Sequence, residues 1–221
     1  MILARILCLL GGYALGIIQT AYIYGKANGI DIREHGSGNA GTTNALRVLG
    51  KKAGLVVFLG DFIKAVLATT IARIVFYNID YDNMYLYMVY AGLGTALGHN
   101  FPFYMKFKGG KGIAVSAGFI LGLLDPVMIL ICLFTFVIVL ALSKYVSLGS
   151  ICLVTVFAAV YTISAFCGRY CFDLGDSTSY ACMIESSIVV CLFSAMAIIR
   201  HRANIVRLIR HEENKFSLNK K

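Results

Sequence analysis

Residues 54–77 read GLVVFLGDFIKAVLATTIARIVFY. The stretch is long enough to cross a membrane, because a helix of about 20 mostly apolar residues spans about 30 Å of hydrocarbon. Only Asp61, Lys64 and Arg73 interrupt it with ionisable side chains. It therefore predicts a membrane-spanning helix.

The rest of the chain follows the same pattern. Of its 221 residues, 59% are hydrophobic and only 14% are charged, and its mean hydropathy is +0.78. Such values indicate a membrane protein. We expect an all-α, polytopic membrane protein with about seven transmembrane helices, forming a single integral membrane domain over residues 1–221. The apolar runs are 2–24, 54–77, 84–105, 112–124, 127–142, 148–166 and 180–199.

The fourth and fifth runs are short, and the pair Asp125-Pro126 separates them as a tight hairpin. An odd number of spans fits the charges in the loops, because Lys and Arg stay on the cytoplasmic side. Seven spans satisfy this condition, and so do five if the hairpin is re-entrant. The bases concentrate on one side, where four segments hold 5, 3, 1 and 7 of them: 25–54, 106–112, 143–150 and 200–221.

The opposite set of segments contains only Arg169 among the bases. The charge asymmetry predicts that the N-terminus lies outside and that residues 200–221 form a basic cytoplasmic C-terminal segment. The net charge of +9 is spread over short loops, so it suits membrane lipids and an anionic small molecule, and no nucleic acid partner is expected. The seven cysteines lack paired metal-ligand spacing, and we expect no metal and no cofactor.

The first polar loop on the basic side reads HGSGNAGTTNALR over residues 35–47. Its glycines, Gly38 among them, allow backbone N–H groups to converge on an anion. Ser37 and Asn39 add hydrogen-bonding side chains, and Arg47 offers a planar fork suited to phosphate or carboxylate. A flexible polar turn is the alternative interpretation.

The second polar loop belongs to the stretch GHNFPFYMKFKGGKGIA, residues 98–114. Gly109, Gly110 and Lys111 stand next to the start of another helix, where a phosphate can bind. The pattern is not a Walker loop, so nucleotide hydrolysis is not indicated. His99 could serve as a base or as a hydrogen-bond donor, although a structural role is the commoner one for a single histidine.

Two further pairs of polar residues lie on the same side of the membrane. Ser147 and Ser150 occur at the start of the sixth apolar run, where a helix cap is the simple explanation and contact with a ligand is the other. His201 and Asn204 share one helical face after the last run.

Charged residues also lie inside the apolar runs. Asp61 and Lys64 are three residues apart on one face, so we expect an ion pair that orients neighbouring loops. Arg73 and Glu185 lie near the outer interface, and we expect both to snorkel towards the head groups.

The stretches GSGNAGTTNALR, GHNFPFYMKFKGGKG, KYVSLGS and HRANIVRL together resemble the bacterial acyl-phosphate:glycerol-3-phosphate acyltransferase (PlsY) family. The resemblance runs from about residue 10 to residue 210. It implies transfer of a fatty acyl group from acyl phosphate to the 1-hydroxyl of glycerol 3-phosphate, giving lysophosphatidic acid and phosphate. This reaction begins phospholipid biosynthesis. The implied location is the bacterial inner membrane with the active site on the cytoplasmic side, where a soluble enzyme that makes acyl phosphate is a possible partner.

The resemblance also assigns site residues. It implies catalytic roles for Ser37, Asn39 and His99, with Ser37 as a polar positioning group. Acyl phosphate is an activated anhydride, so positioning and charge stabilisation can supply the rate without a covalent nucleophile or a metal. The substrate-binding residues that it implies are Arg47, Lys111, Ser147 or Ser150, His201 and Asn204. We expect Gly38, Gly109 and Gly110 of the two polar loops to bind substrate with them.

Two other functions fit part of the pattern. An acyl-CoA-dependent acyltransferase would carry the motif H-x-x-x-x-D, which none of the four histidines begins. A membrane transporter of a small phosphorylated anion would explain charges at membrane depth. However, the sequence shows no internal repeat, and its polar loops cluster on one side, which favours an enzyme at the interface.

Overall fold

The structure is a computed structural model that describes residues 2–170 and 177–216. Residues 171–176 of the predicted outer loop and residues 217–221 of the C-terminal segment lie outside this description. The described residues form helices without any strand, which confirms the all-α prediction. The helices are α1 (Ile2–Gly16), α2 (Thr20–Ala27), α3 (Thr42–Tyr77), α4 (Met84–Asn100), α5 (Ile113–Gly122), α6 (Pro126–Ser143), α7 (Val146–Phe166), α8 (Ser177–Arg200) and α9 (Arg202–Ile209).

Helix α4 lies at the centre of the bundle, packed against α1, α3 and α8. Its contact with α1 is close because both helices present glycines. A Cβ on Gly12 would lie 2.1 Å from the carbonyl oxygen of Ala91, and one on Gly98 would lie 2.3 Å from that of Tyr13. Small residues of this kind let two backbones touch in a membrane. The contact fixes the ends of α1 and α4 side by side.

Aromatic rings fill the second half of the core, between α5, α7 and α8. The Phe119 ring meets the rings of Phe157 and Phe193 edge-on, with centroids 5.4 Å and 5.2 Å away. All three side chains are buried. Edge-to-face geometry adds about 0.5–1.5 kcal/mol per pair beyond burial. Apolar side chains also cover much of the exterior, including Leu130 and Phe134 of α6, as expected of a surface that faces lipid.

Five helical stretches in the described residues are long and apolar enough to cross a membrane: Ile2–Ala27, Thr42–Tyr77, Pro126–Ser143, Val146–Phe166 and Ser179–Arg200. The fourth predicted run forms α5, which has 10 residues and at a rise of about 1.5 Å per residue reaches only about 15 Å. The third run ends as a helix at Asn100. Seven crossings and the orientation of the chain stay predictions.

Two helix boundaries shape the site. The predicted first span is broken between α1 and α2, where backbone carbonyls become available to other residues. Helix α3 begins at Thr42, well before the predicted span, and leaves helical geometry at Gly50, whose φ is 86°. This left-handed conformation favours glycine. The predicted hairpin break is confirmed, since Asp125 caps α6 by accepting hydrogen bonds from the backbone N–H groups of Val127 and Met128.

Candidate functional site

The first polar loop is shaped by a buried asparagine at the start of α3. The Asn44 side chain accepts a hydrogen bond from the Ser37 backbone N–H at 2.8 Å. It donates to the carbonyl oxygens of Ile32 at 3.1 Å and His35 at 3.0 Å. Gly36, with φ 61°, passes so close that a Cβ would lie 2.4 Å from Asn44 Oδ1. One amide therefore fixes the shape of the loop.

This loop presents its predicted site residues at its surface. Ser37 and Gly38 are exposed, and Asn39 is half-buried. The next residue, Ala40, is buried, and its carbonyl oxygen lies 2.8 Å from the position of a Cβ on Gly110. The structure thus brings the first and second polar loops together.

The second polar loop folds back onto the end of α4. The backbone N–H groups of Gly109 and Gly110 donate to the carbonyl oxygens of Asn100 and His99, each at 3.1 Å. A Cβ on Gly109 would lie only 2.0 Å from the His99 carbonyl oxygen, so glycine is required there for space. Because both N–H groups already donate within the chain, the loop offers an anion the Lys111 side chain instead of free amides.

Arg200, at the end of α8, holds this glycine loop from the other side. Its guanidinium donates to the carbonyl oxygens of Gly109 at 2.8 Å and Gly110 at 2.9 Å, and it lies over the Phe101 ring at 5.3 Å. The buried side-chain amide of Asn100 has no hydrogen-bond partner among the described residues. Neither residue was singled out from the sequence.

A lysine cluster joins the second loop to the C-terminal part of the chain. Lys111 Nζ donates to Asn204 Oδ1. The Glu213 carboxylate accepts from Asn204 Nδ2 at 2.7 Å, from Ser147 Oγ at 3.1 Å and from Arg207 Nε at 2.7 Å. We define the lysine cluster as these five residues. They come from the starts of α5 and α7, from α9 and from the segment after it.

The electrostatics of the lysine cluster favour an anion. The pKa of Lys111 is lowered to about 8, chiefly by burial; Glu213 raises the pKa, whereas the nearby Arg207, Arg200 and Arg47 lower it. The exposed Arg47 guanidinium is thus close enough to act on the same charge. Several cations surround one carboxylate, so the positive charge is in excess and the lysine cluster can bind an anion.

In each of the two polar pairs predicted from the sequence, one residue belongs to the lysine cluster and the other does not. Ser147 joins the lysine cluster, whereas Ser150 Oγ donates to the carbonyl oxygen of Val146 in its own helix at 2.7 Å. Asn204 joins the cluster too. His201 is buried, and its Nδ1 lies 2.8 Å from the Ala197 carbonyl oxygen.

The His201 ring is held in one protonation state. Burial lowers its pKa to about 4, so the ring is neutral at pH 7. Its Nδ1 must carry the proton that faces the Ala197 carbonyl oxygen. Nε2 is consequently an acceptor.

A second group, the histidine cluster, consists of Asp61, Lys64 and His99, each no more than 4% exposed. Lys64 Nζ lies 2.9 Å from Asp61 Oδ1, which confirms the predicted ion pair. It also lies 3.0 Å from His99 Nδ1. On the opposite edge of the ring, His99 Nε2 lies 2.1 Å from the position of a Cβ on Gly110. The histidine cluster therefore adjoins the glycine loop.

Comparisons with known proteins agree with this arrangement. The family model described as glycerol-3-phosphate acyltransferase matches residues 6–211. A glycerol-3-phosphate acyltransferase of Clostridioides difficile (strain 630) is 40% identical over 212 residues, covering 94% of this chain and 93% of that protein. One from Bacillus subtilis (strain 168) is 41% identical over 204 residues, covering 92% of this chain and 93% of that protein.

Solved structures give the same result. The crystal structure of PlsY (YgiH), an integral membrane glycerol 3-phosphate acyltransferase, in its glycerol 3-phosphate form superposes with a TM-score of 0.79 at 30% identity, covering 96% of each chain. The lysophosphatidic acid form gives a TM-score of 0.77 at 29% identity, covering 97% of this chain and 96% of that one. The fold and site define an integral membrane acyltransferase. The chain belongs to the glycerol-3-phosphate acyltransferase family, which confirms the resemblance and argues against a transporter.

Several residues of the site escaped sequence reasoning, namely Asn44, Asn100, Arg200, Arg207 and Glu213. For Glu213 a signal existed, since it and Glu212 are the only acidic residues in the basic segment 200–221. A pair of acids among bases is a reasonable candidate for an internal partner. Among the described residues, no group of three His, Cys, Asp or Glu side chains could hold a metal ion.

Proposed function

We propose that this protein transfers a fatty acyl group from acyl phosphate to the 1-hydroxyl of glycerol 3-phosphate, giving lysophosphatidic acid and phosphate. The observation that carries the proposal is the lysine cluster. An arginine, an amide and a hydroxyl converge there on one carboxylate, and a lysine donates to the same amide. A phosphate is recognised by the same donors, so the cluster supplies a site for a phosphorylated substrate.

Lys111, Asn204 and Ser147 bind the phosphate of glycerol 3-phosphate in this proposal. Arg47, exposed on the first helical turns of α3, binds the phosphate of the acyl donor through its planar fork. The first polar loop then places Ser37, Gly38 and Asn39 beside the acyl phosphate. Support comes from the contact between the two loops at Ala40 and Gly110.

The chemistry is a displacement at the acyl carbon. A bond forms between the glycerol 1-oxygen and the carbonyl carbon, and the bond from that carbon to the phosphate oxygen breaks. The hydroxyl proton leaves with the released phosphate. Because phosphate is a good leaving group, fixed positions and cations near the developing charge can supply much of the rate. No metal, cofactor or covalent acyl-enzyme is part of the proposal.

The acyl chain needs an apolar slot that opens to the bilayer. A groove of about 460 Å³ lies between α7 and α8, lined by Phe166, Ile184, Ile188, Leu192 and other uncharged residues. Along α8 it ends at Ala195, about 7.5 Å from Arg200 at 1.5 Å per residue. We place the acyl chain there. A bulky Ala195→Phe variant should shift the preference to shorter acyl phosphates, and an unchanged preference would contradict this placement.

The inner membrane of a bacterium, with the site on the cytoplasmic side, is part of the same proposal. The basic loops support this orientation, and a soluble enzyme would then deliver acyl phosphate. In a variant with all native cysteines replaced, a single cysteine at Ser37 should react only with reagents on the cytoplasmic side. A cysteine at Asp82 should react only from outside. Labelling of both from one side would contradict the orientation.

The activity itself is tested with purified protein in detergent. Synthetic acyl phosphate and glycerol 3-phosphate should give lysophosphatidic acid and phosphate in equal amounts, while acyl-CoA should give no product. A transporter needs two compartments and would yield nothing in this assay. Product from acyl-CoA alone, or no product from either donor, would refute the proposed reaction.

A further inference from the structure

The Lys64 side chain has an unusual number of acceptors around it. Its Nζ lies within hydrogen-bonding distance of four atoms from three parts of the chain. They are the carbonyl oxygens of Ile18 at 2.7 Å and Gly16 at 3.1 Å, Asp61 Oδ1 at 2.9 Å and His99 Nδ1 at 3.0 Å. The break between α1 and α2 supplies the first two, because it leaves carbonyls outside the helical ladder.

Three of these four atoms are oxygens, which favours a fully protonated lysine. Carbonyl and carboxylate oxygens only accept hydrogen bonds here, and a neutral amine has only two protons to donate. The three protons of the ammonium are shared among the four acceptors, of which the Gly16 oxygen at 3.1 Å is the most distant. Asp61 adds a negative charge that stabilises the ammonium in this buried place. Lys64 is accordingly a cation with donors and no acceptor.

The contact between Lys64 and His99 then fixes the imidazole proton. An ammonium has no lone pair, so two nitrogens 3.0 Å apart form a hydrogen bond only if His99 Nδ1 is the acceptor. Asp61 Oδ1 does not compete for a proton on Nδ1, because it lies 3.5 Å away and beyond a good hydrogen bond. In a neutral imidazole with a lone pair at Nδ1, the proton is on Nε2.

The protonated nitrogen points at the glycine loop. His99 Nε2 lies where a side chain of Gly110 would begin, 2.1 Å from its Cβ position, and the Ala40 carbonyl is adjacent. The charged groups that face the ring are Asp61 and Lys64 from α3 and Arg200 from α8. Two of these three are cations, which oppose a further positive charge on the ring.

We infer that Lys64 is a positioning residue that holds His99 as the Nε2–H tautomer, so that His99 donates a hydrogen bond to the reacting acyl phosphate and is not the base for the glycerol hydroxyl. The inference rests on the proposed function for the identity of the acceptor. Negative charge grows on the acyl oxygens as the hydroxyl attacks, and a preorganised N–H stabilises it. The proton of the glycerol hydroxyl leaves with the released phosphate.

Nitrogen NMR of the wild-type protein reads the tautomer directly. The chain has four histidines, and the His99→Gln variant identifies the His99 signals in ¹⁵N-histidine-labelled protein. We expect a protonated Nε2 and an unprotonated Nδ1 at neutral pH. In Lys64→Met the preference should be lost, whereas Lys52→Met, an exposed lysine on the same helix, should leave it intact. A proton on Nδ1 in the wild-type protein would overturn the inference.

Kinetics of three His99 variants test the donor role. Glutamine places an N–H near the position of Nε2, asparagine reaches only the position of Nδ1, and neither is a base. We expect kcat of His99→Gln within about tenfold of wild type, while His99→Asn and His99→Ala lose about a hundredfold or more, the usual loss of an oxyanion donor. Equal losses in all three would overturn the donor role. If the wild-type protein formed no product, the proposed reaction would fail while the tautomer remained measurable.

Discussion

Two ion pairs, one buried and one half-buried, lie in opposite halves of this bundle and differ in what they bind. In one half, Asp61 and Lys64 of α3 are joined at 2.9 Å. In the other, Arg5 of α1 forms two hydrogen bonds of 2.6 Å with Glu185 of α8, and Tyr90 of α4 donates to the same carboxylate at 2.7 Å. The second pair therefore ties three helices together.

The geometry of the two cations explains the difference. The planar guanidinium of Arg5 donates two parallel hydrogen bonds to one carboxylate, that of Glu185. The Lys64 ammonium is a point charge that reaches carbonyls, a carboxylate and the His99 ring at once. One pair clamps helices and the other orients a site. Charge at membrane depth alone does not reveal which.

The largest expected effect on activity comes from Arg47, an exposed cation of the candidate site. Arg47→Ala should lose about a hundredfold in kcat/KM, because a charge-assisted contact to substrate phosphate is removed. Arg47→Lys should also be poor, since an ammonium cannot reproduce the fork. The thermal midpoint of unfolding should stay unchanged in both. Near-normal kinetics would show that Arg47 merely contacts lipid head groups.

A smaller loss is expected where the two loops meet. In Gly110→Ala the new Cβ overlaps His99 Nε2 and the Ala40 carbonyl, so kcat should fall at least about tenfold through misplacement of the reacting groups. Gly11→Ala is the matched control, since nothing lies within 4 Å of its Cβ position. That variant should keep wild-type kinetics. Equal activity of the two would mean that the loop contact does not serve catalysis.

The pH dependence should reveal the charge on Lys111. Its pKa is lowered by burial to about 8, so the free enzyme loses the ammonium as the pH rises through this value. Since the charged form binds phosphate, kcat/KM for glycerol 3-phosphate should fall about tenfold per pH unit above pH 8. Lys111→Arg stays charged, so its profile should stay flat to higher pH. A wild-type profile that is flat between pH 7 and 10 would contradict this.

The smallest effect on activity is expected in the opposite half. Glu185→Gln weakens the clamp on Arg5, so the midpoint should drop by about 3–6 °C, the shift that about 1–2 kcal/mol produces in a chain of this size. The kcat/KM should stay within about twofold of wild type. Glu212→Gln, an exposed acid, is the control for loss of charge. A large kinetic loss without destabilisation would remove the contrast between the two pairs.

The sequence predicted the helices and several of the residues that the structure brings together in the candidate site, because both depend on local patterns. Long apolar runs identify spans wherever they occur, and glycine-rich loops with a lysine identify an anion site. The Asp61–Lys64 pair was predictable from a spacing of three residues. Even the length of α5 was indicated by its short run.

Contacts between distant segments were beyond such patterns. Glu185 was expected to snorkel, but it pairs with Arg5, 180 residues away. Glu213 and Arg200 meet the site only because α8 ends beside the glycine loop and the chain then folds back. The break between α1 and α2 and the carbonyls that it gives to Lys64 follow from tertiary packing. No sequence pattern near the break predicts this role.

The central claim, that the lysine cluster binds a substrate phosphate, is tested most directly by two lysines of one loop. Lys111 is half-buried in the cluster and Lys108 is exposed three residues before it. In purified protein, Lys111→Ala should lose about a hundredfold in kcat/KM for glycerol 3-phosphate, whereas Lys108→Ala should remain within about twofold of wild type. Equal kinetic constants in the two variants would contradict the account.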